Sequence, residues 1–239
     1  MKKILGNLLS VLLLLLVVQV NAVQAENIPV TCSNTAVTIQ MDVPSTNVRC
    51  LTVMNSVSAE TDQSLTEARI SSASISLDDF KSEGKFSPEV TAFTTNGLST
   101  VNTEIYQIAV DLTEMINKAT SGEGIAAITA PIPFLPVQDK TQLFVSMPEM
   151  ISFQSGSAFR FITAYGDTGA SVDNTNLVYS LQGISQDGKS YLSVTIPITH
   201  NQITSSFDPS TFDWNTLSSD GWQPAISTLD ELMRTIILN

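Results

Sequence analysis

The sequence predicts an α+β domain: an antiparallel β-sheet of meanders and hairpins packed against one long helix and a C-terminal helix. Three observations predict it. Residues 159–165, 177–184 and 190–198 are runs rich in aromatic and β-branched side chains, separated by polar loops and turn chemistry. Residues 99–118 carry Ile105, Ala109, Leu112, Met115 and Ile116 on one stripe at helical spacing. Residues 229–236 repeat that pattern behind a helix-start signature.

The chain opens on an export signal. Lys2 and Lys3 precede an apolar run from Ile4 to Val20, closed by the polar Gln19 and Asn21. Val23 and Ala25 put small residues at the −3 and −1 positions, so residues 1–25 are the expected signal peptide; Ala22 closes a second cleavage site. The alternative is an uncleaved anchor, but the run is short for a span of about 20 residues. Glu26 rather than Cys follows the small residues, so no lipid anchor is expected. No later segment is long and apolar enough to cross a bilayer, so no membrane span is expected after cleavage. Residues 26–239 then make one exported domain, with an N-terminal β and loop part (26–98) and a part (99–239) of helix, antiparallel strands and C-terminal helix.

The formal net charge is −12, and loss of the two signal lysines makes it more negative. That sign argues against nucleic acid and anionic lipid as partners. Cys32 and Cys50 are the two cysteines, and in an exported chain they most simply pair with each other.

Taken in order, residues 36–41 and 48–54 read as strands around the Pro44–Asn47 turn, with Val48, Cys50, Thr52 and Met54 on one face. The disulfide is expected to staple these strands or their ends. Residues 56–98 are rich in Ser, Thr, Asp and Glu and read as loops with short strands, pinned by Phe80, Phe86 and Phe93. Ser99 or Thr100 caps the long helix, and Ser121, Gly122 and Gly124 end it. Three prolines within residues 131–136 exclude a central strand or helix and predict an extended connector with Phe134 and Leu135 buried. Strands at 142–146 and 150–154 follow, then 159–165, with Phe159, Phe161 and Thr163 opposite Arg160, Ile162 and Ala164. Asp187-Gly188 marks the tip of a hairpin between 177–184 and 190–198. Asp208 and Pro209 start a short helix to about residue 217. Two overlapping capping boxes, Ser227 with Asp230 and Thr228 with Glu231, open the last helix, whose stripe is Leu229, Leu232, Met233 and Ile236.

The strand 159–165 and the hairpin 179–198, read with Pro133-Phe134-Leu135-Pro136 and Leu229-Asp230, resemble a family of uncharacterised secreted bacterial proteins. These share an arginine-containing strand ending in Tyr, a YxxQGxxxDGxxYxSvxxPv-type hairpin, an upstream PFLP segment and a C-terminal Leu-Asp helix. The resemblance covers roughly residues 99–239. It implies a secreted location and a shared fold, and no activity. Members of the family are often lipoproteins; this chain lacks the lipobox Cys, so an anchor is not expected.

Chemistry is sparse. His200 is the only histidine, so any Ser-His-Asp site has one base to use. Residues 183–187 break the Gly-x-Ser-x-Gly pattern at its last position and enter a hairpin. A surface or strand-edge histidine is therefore expected. One His and two paired Cys cannot supply a zinc ligand set, and no cofactor is expected. Asp167, Asp173, Asn174 and Asn176 are hard oxygen donors in one loop and the only calcium candidates; turn formation accounts for them equally. Asp78, Asp79 and Glu83 are a carboxylate set that glycoside hydrolysis could use, and solvated acids are the expected reading. Arg160 sits within an apolar strand, facing solvent or pairing with a carboxylate under the helix. Tyr165, Tyr179, Tyr191, Trp214 and Trp222 are either a sugar- or peptide-binding surface or core, with core expected for the tyrosines. Three functions remain: a non-enzymatic binding or envelope-associated domain with a protein or glycan partner, an extracellular hydrolase, and an assembly subunit that pairs through the hairpin's exposed edge.

Overall fold

The computed structural model describes residues 27–44, 47–53, 70–80, 86–96, 103–123, 131–135 and 140–239. The expected signal peptide, Met54, Glu83, Ser99, Thr100, Gly124 and Pro136 lie outside them.

Strands β1 (Ile28–Ser33) and β2 (Thr38–Val43) form a hairpin whose turn is built by Asn34. The Asn34 Oδ1 accepts the amides of Ala36 and Val37 at 2.8 and 3.0 Å, a side-chain substitute for a backbone turn. Next come β3 (Val48–Val53), β4 (Ser72–Leu77) and β5 (Glu89–Thr94), then helix α1 (Thr103–Lys118), which runs on into one π-helical turn, Ala119–Glu123. Strands β6 (Thr141–Gln142), β7 (Ser146–Phe153), β8 (Gly156–Gly166), β9 (Leu177–Ser185) and β10 (Ser190–Pro197) follow. The chain ends through β11 (Thr199–His200), β12 (Trp222–Gln223), helix α2 (Ile226–Arg234) and β13 (Ile237–Leu238).

All pairings are antiparallel. The large sheet runs β3-β4-β5-β10-β9-β8-β6, with β7 also on β8; a small sheet runs β1-β2-β13; β11 and β12 pair alone. The mixed α+β class, mostly antiparallel sheet with two helices, is as the sequence predicts.

Three layers result. One face of the large sheet, with Ile75, Val90, Ile162 and Leu181, packs on the small sheet and on Leu229 and Met233 of α2. The other face, with Phe159, Phe161, Ile184 and Tyr191, packs on Ile105, Ala109, Leu112 and Ile116 of α1 and on Ile132 and Leu135 of the proline-rich segment. Because both faces are covered, β8 and β9 are buried along nearly their whole length. Burying each Ile or Leu of the α1 stripe contributes about 1.5–3 kcal/mol, which holds the helix to the sheet.

Five expectations are refined. Within residues 56–98, the described stretches 70–80 and 86–96 hold two of the short strands expected there, and these are inner strands of the large sheet. All six residues of β4 are buried, and β4 sits between β3 and β5. Serine is small enough to line a covered face, where Ser74 and Thr91 bond each other at 2.8 Å. The predicted anchors hold: Phe93 is buried, Phe80 packs on the core, and the Phe86 ring lies 5.9 Å from Tyr165. Second, the disulfide joins β1 to β3, hence the small sheet to the edge of the large one, with Cα atoms 5.4 Å apart. Third, the hairpin has no open edge, because β5 covers β10 and β8 covers β9. Pairing of another chain along that hairpin is excluded, and the sheet's termini lie at β3 and β6 instead. Fourth, residues 209–217 hold only a 3-10 turn, Trp214–Thr216. Asp208 Oδ1 takes the amide of Ser210 at 2.9 Å, a local turn that competes with the helix. Fifth, α2 begins two residues earlier than its capping boxes imply. Ala225 stands at the N-cap with no side-chain cap, because burying Ile226 draws it into the first turn.

Candidate functional site

Arg160 pairs with carboxylates under α2, one of its two expected readings. β8 alternation points it at the α2 side, where it is 4% exposed. Its Nη1 donates to the Met147 carbonyl at 2.5 Å, and its Nη2 donates to Glu149 and, at 3.3 Å, to Asp230 Oδ2. Its Nε lies 3.2 Å from Asp230 Oδ1 but lacks hydrogen-bond alignment, the one such buried side-chain polar atom among the described residues. Met147 takes a positive φ of 51° at the irregularity between Ser146 and Glu149, which turns its carbonyl towards the guanidinium. The Tyr179 hydroxyl donates to Asp230 Oδ1 at 2.9 Å. Burial pushes the Asp230 carboxyl above its ordinary value, against the attraction of Arg160. Burial, reinforced by the Asp230 charge, pushes the Tyr179 hydroxyl well up. Each of these groups is committed to clamping α2 on the sheet.

A second polar seam lies on the α1 side. Gln182 Nε2 donates to Ser193 Oγ at 3.0 Å, and Gln182 Oε1 accepts from the Tyr191 hydroxyl at 2.7 Å and the Leu135 amide at 3.3 Å. Ser193 Oγ donates to the Leu135 carbonyl, and Gln142 Oε1 accepts the Ile132 amide at 2.9 Å. The proline-rich segment is thus held by side chains reading its backbone, as its lack of strand pairing requires.

His200 is not on the surface: it is 0% exposed. Gly221 presses on it so closely that a Cβ there would meet Nε2 at 2.2 Å. Its Nε2 lies 2.8 Å from the Ser218 carbonyl, and its Nδ1 accepts the Gln202 amide at 3.2 Å, which sets the Nε2–H tautomer. Its ring stands edge-on to Trp222 with centroids 4.7 Å apart. Both ring nitrogens therefore serve backbone groups of one loop.

The four oxygen donors proposed for calcium are each engaged in a hydrogen bond or an ion pair. Asp167 pairs with Lys140 at 2.9 Å. Asp173 Oδ1 accepts from the Thr175 amide and hydroxyl, and its Oδ2 from Ser206. Asn174 bridges to β11, donating to the His200 and Ile203 carbonyls and accepting the His200 amide. Asn176 closes the turn on Asp173 and Ser171. Among the described residues, no three His, Cys, Asp or Glu side chains gather as a metal site. Asp78 is paired with Arg49 at 2.8 Å and Asp79 with Asn47 at 2.7 Å. Of the aromatic set, Tyr165, Tyr179, Tyr191 and Trp222 are buried, and half-buried Trp214 stacks on Phe144 at 4.1 Å.

Two open grooves are bounded by described residues. One, of about 500 Å³, is walled by Phe86, Tyr165, Lys140, Asp167 and Asn176. Its ion pair and turn bonds already occupy most of its polar groups. The other, of about 570 Å³, lies between α1 and the hairpin tip. Its floor is Ala109, Val110 and Ile184; its rim carries Asn96, Tyr106, Glu114 and Lys189. The tip is fixed by Gly188 at φ +70°, by the Thr95 hydroxyl donating to the Gly188 carbonyl at 2.6 Å, and by the Thr95 amide on the Lys189 carbonyl at 2.8 Å. Tyr106 is 40% exposed. Among the described residues, the side chains of Asn96, Tyr106 and Glu114 have no hydrogen-bond partner, unlike the seams of the interior. Lys189 reaches Asp187 at 3.1 Å. Sequence reading missed this groove because its residues come from the segment just after β5, from α1 and from the hairpin, over 90 positions apart. Its one sequence signal is Tyr106, an aromatic one position off the buried α1 stripe.

No family model, curated protein or solved structure matches this chain. The groove and the seams therefore carry the functional argument.

Proposed function

We propose that this chain is an extracytoplasmic binding domain, non-enzymatic and associated with the cell envelope, with a protein or glycan partner. One observation carries the reading: among the described residues, His200, Arg160, Tyr179 and Asp230 are consumed by the scaffold, whereas a groove on the surface keeps the side chains of Asn96, Tyr106 and Glu114 free. His200 is spent on the Ser218–Gln202 loop. Asp230, Arg160 and Tyr179 clamp α2. The disulfide between two sheets fits an oxidising compartment, as does the signal-like N-terminus. The resemblance to secreted bacterial proteins points the same way. The acidic charge disfavours nucleic acid.

Two measurements test it. Intact mass of the protein from the extracytoplasmic fraction is expected to show loss of residues 1–25 and an oxidised cysteine pair. Assays with ester, peptide and glycoside substrates are expected to give equal background for wild type and His200→Gln. Turnover that disappears in His200→Gln would restore the hydrolase.

A further inference from the structure

We propose that the groove between α1 and the hairpin tip binds a neutral saccharide of one to three rings; this rests on the binding-domain reading and names its ligand class. The volume, about 570 Å³, suits such a ligand. The lining divides as sugar recognition requires. Tyr106 offers an exposed aromatic face and a free hydroxyl, and Ala109, Val110 and Ile184 give a shallow apolar floor. A pyranose ring has one face of C–H groups that lies on such a surface, and a rim of hydroxyls that both donate and accept. Asn96 supplies an amide that donates and accepts; Glu114 supplies a pure acceptor; Lys189 supplies a donor.

Charge selects among saccharides. Glu114 lines the groove, and the Lys189 ammonium there is already paired with Asp187, on a chain that is acidic throughout. Uronic or sulfated sugars would meet like charge. A purely apolar ligand would strip water from Glu114 and Asn96 and return no hydrogen bond. An extended peptide finds no unpaired strand here, since both hairpin strands are covered. Preorganisation helps: the tip is fastened through Thr95 and the helix through its buried stripe, so binding orders only Tyr106, Glu114, Asn96 and Lys189.

The test is amide chemical-shift titration of the labelled protein, purified from whichever cell fraction holds it, so that failure of export and failure of binding are read separately. The probes are maltotriose and chitotriose, an anionic uronic trisaccharide, and a neutral tripeptide. Expected are shifts at Asn96, Tyr106, Val110, Glu114 and Lys189 with a neutral trisaccharide, and a dissociation constant on the order of 1 mM. Tyr106→Ala and Glu114→Gln, both on the exposed side of α1, should each weaken binding about tenfold. The proposal is overturned by no groove shifts from either neutral sugar, by equal binding of the anionic sugar, by binding of the tripeptide alone, or by sugar binding unchanged in both variants.

Discussion

Asp230→Ala removes the keystone of the clamp under α2. It strips Arg160 of its buried carboxylate and leaves the Tyr179 hydroxyl without its acceptor. Breaking a buried ion pair from one side typically costs 3–5 kcal/mol. Here the lower end applies, because Arg160 keeps the half-exposed Glu149 and the Met147 carbonyl. The expected loss is about 3 kcal/mol, or a melting temperature lower by about 6–12 °C for a chain of this size. Urea unfolding followed by fluorescence of Trp222, buried in the same core, reads it. Arg160→Met with Asp230→Leu should recover much of the loss, since an apolar pair carries no desolvation cost. A loss under about 1 kcal/mol for Asp230→Ala, or a double variant as unstable as both singles combined, would refute the clamp. The pH arm has a definite sign. The folded state raises the Asp230 pKa, so its stability contribution is full below the ordinary value and falls as pH rises through the raised one. Wild type should therefore gain on Asp230→Asn as the solution is acidified.

Other outcomes follow from single features. Cys32→Ser with Cys50→Ser should cost about 3 kcal/mol by freeing a loop of this size, read as a melting shift that reductant reproduces in the wild type. Gly183→Ala puts a Cβ 2.6 Å from Ala158 Cβ and 2.9 Å from the Ser157 carbonyl, across the centre of the large sheet. It should cost about 1–3 kcal/mol in urea unfolding; a neutral result would mean the β8–β9 pairing is looser than drawn. Asp187 is held down to about 2 by the Lys189 amide, Ser185 and the Lys189 ammonium. Its contribution is present above the ordinary carboxylate value and lost as pH falls towards 2, so Asp187→Asn should flatten the acid limb of the stability curve.

The legible parts of this fold were those with local chemistry. Asp187-Gly188 marked the hairpin because the turn needs a positive φ, which Gly188 adopts. The α1 stripe appeared because its period is set by the helix alone. Arg160 in an apolar strand left a solvent-facing side chain and a carboxylate partner equally open, and only the fold could say that Asp230, 70 positions away, is a partner. Elsewhere polarity misled. In a stretch read as loops with short strands, Ser72, Ser74 and Ser76 hid the boundaries by composition, yet they alternate with Ala73, Ile75 and Leu77, the period-two signature of a strand. His200 suggested a surface or strand-edge residue; it does end the short strand β11, but nothing in the sequence announces Gly221 and Trp222 closing over it. The groove was invisible for a different reason: its rim shares no local pattern and exists only once β5, α1 and the hairpin are stacked.

The small sheet has one more consequence, for timing. β2 pairs with β1 within a few residues but also with β13, and Thr38 and Asn239 exchange both backbone hydrogen bonds at 2.7 and 3.1 Å. A chain emerging amino end first, from the ribosome or across a membrane, presents the β1–β2 hairpin long before its third strand exists. Such long-range closure comes late and keeps the folding chain open meanwhile. The small sheet is therefore completed only after residues 237–239 have been delivered.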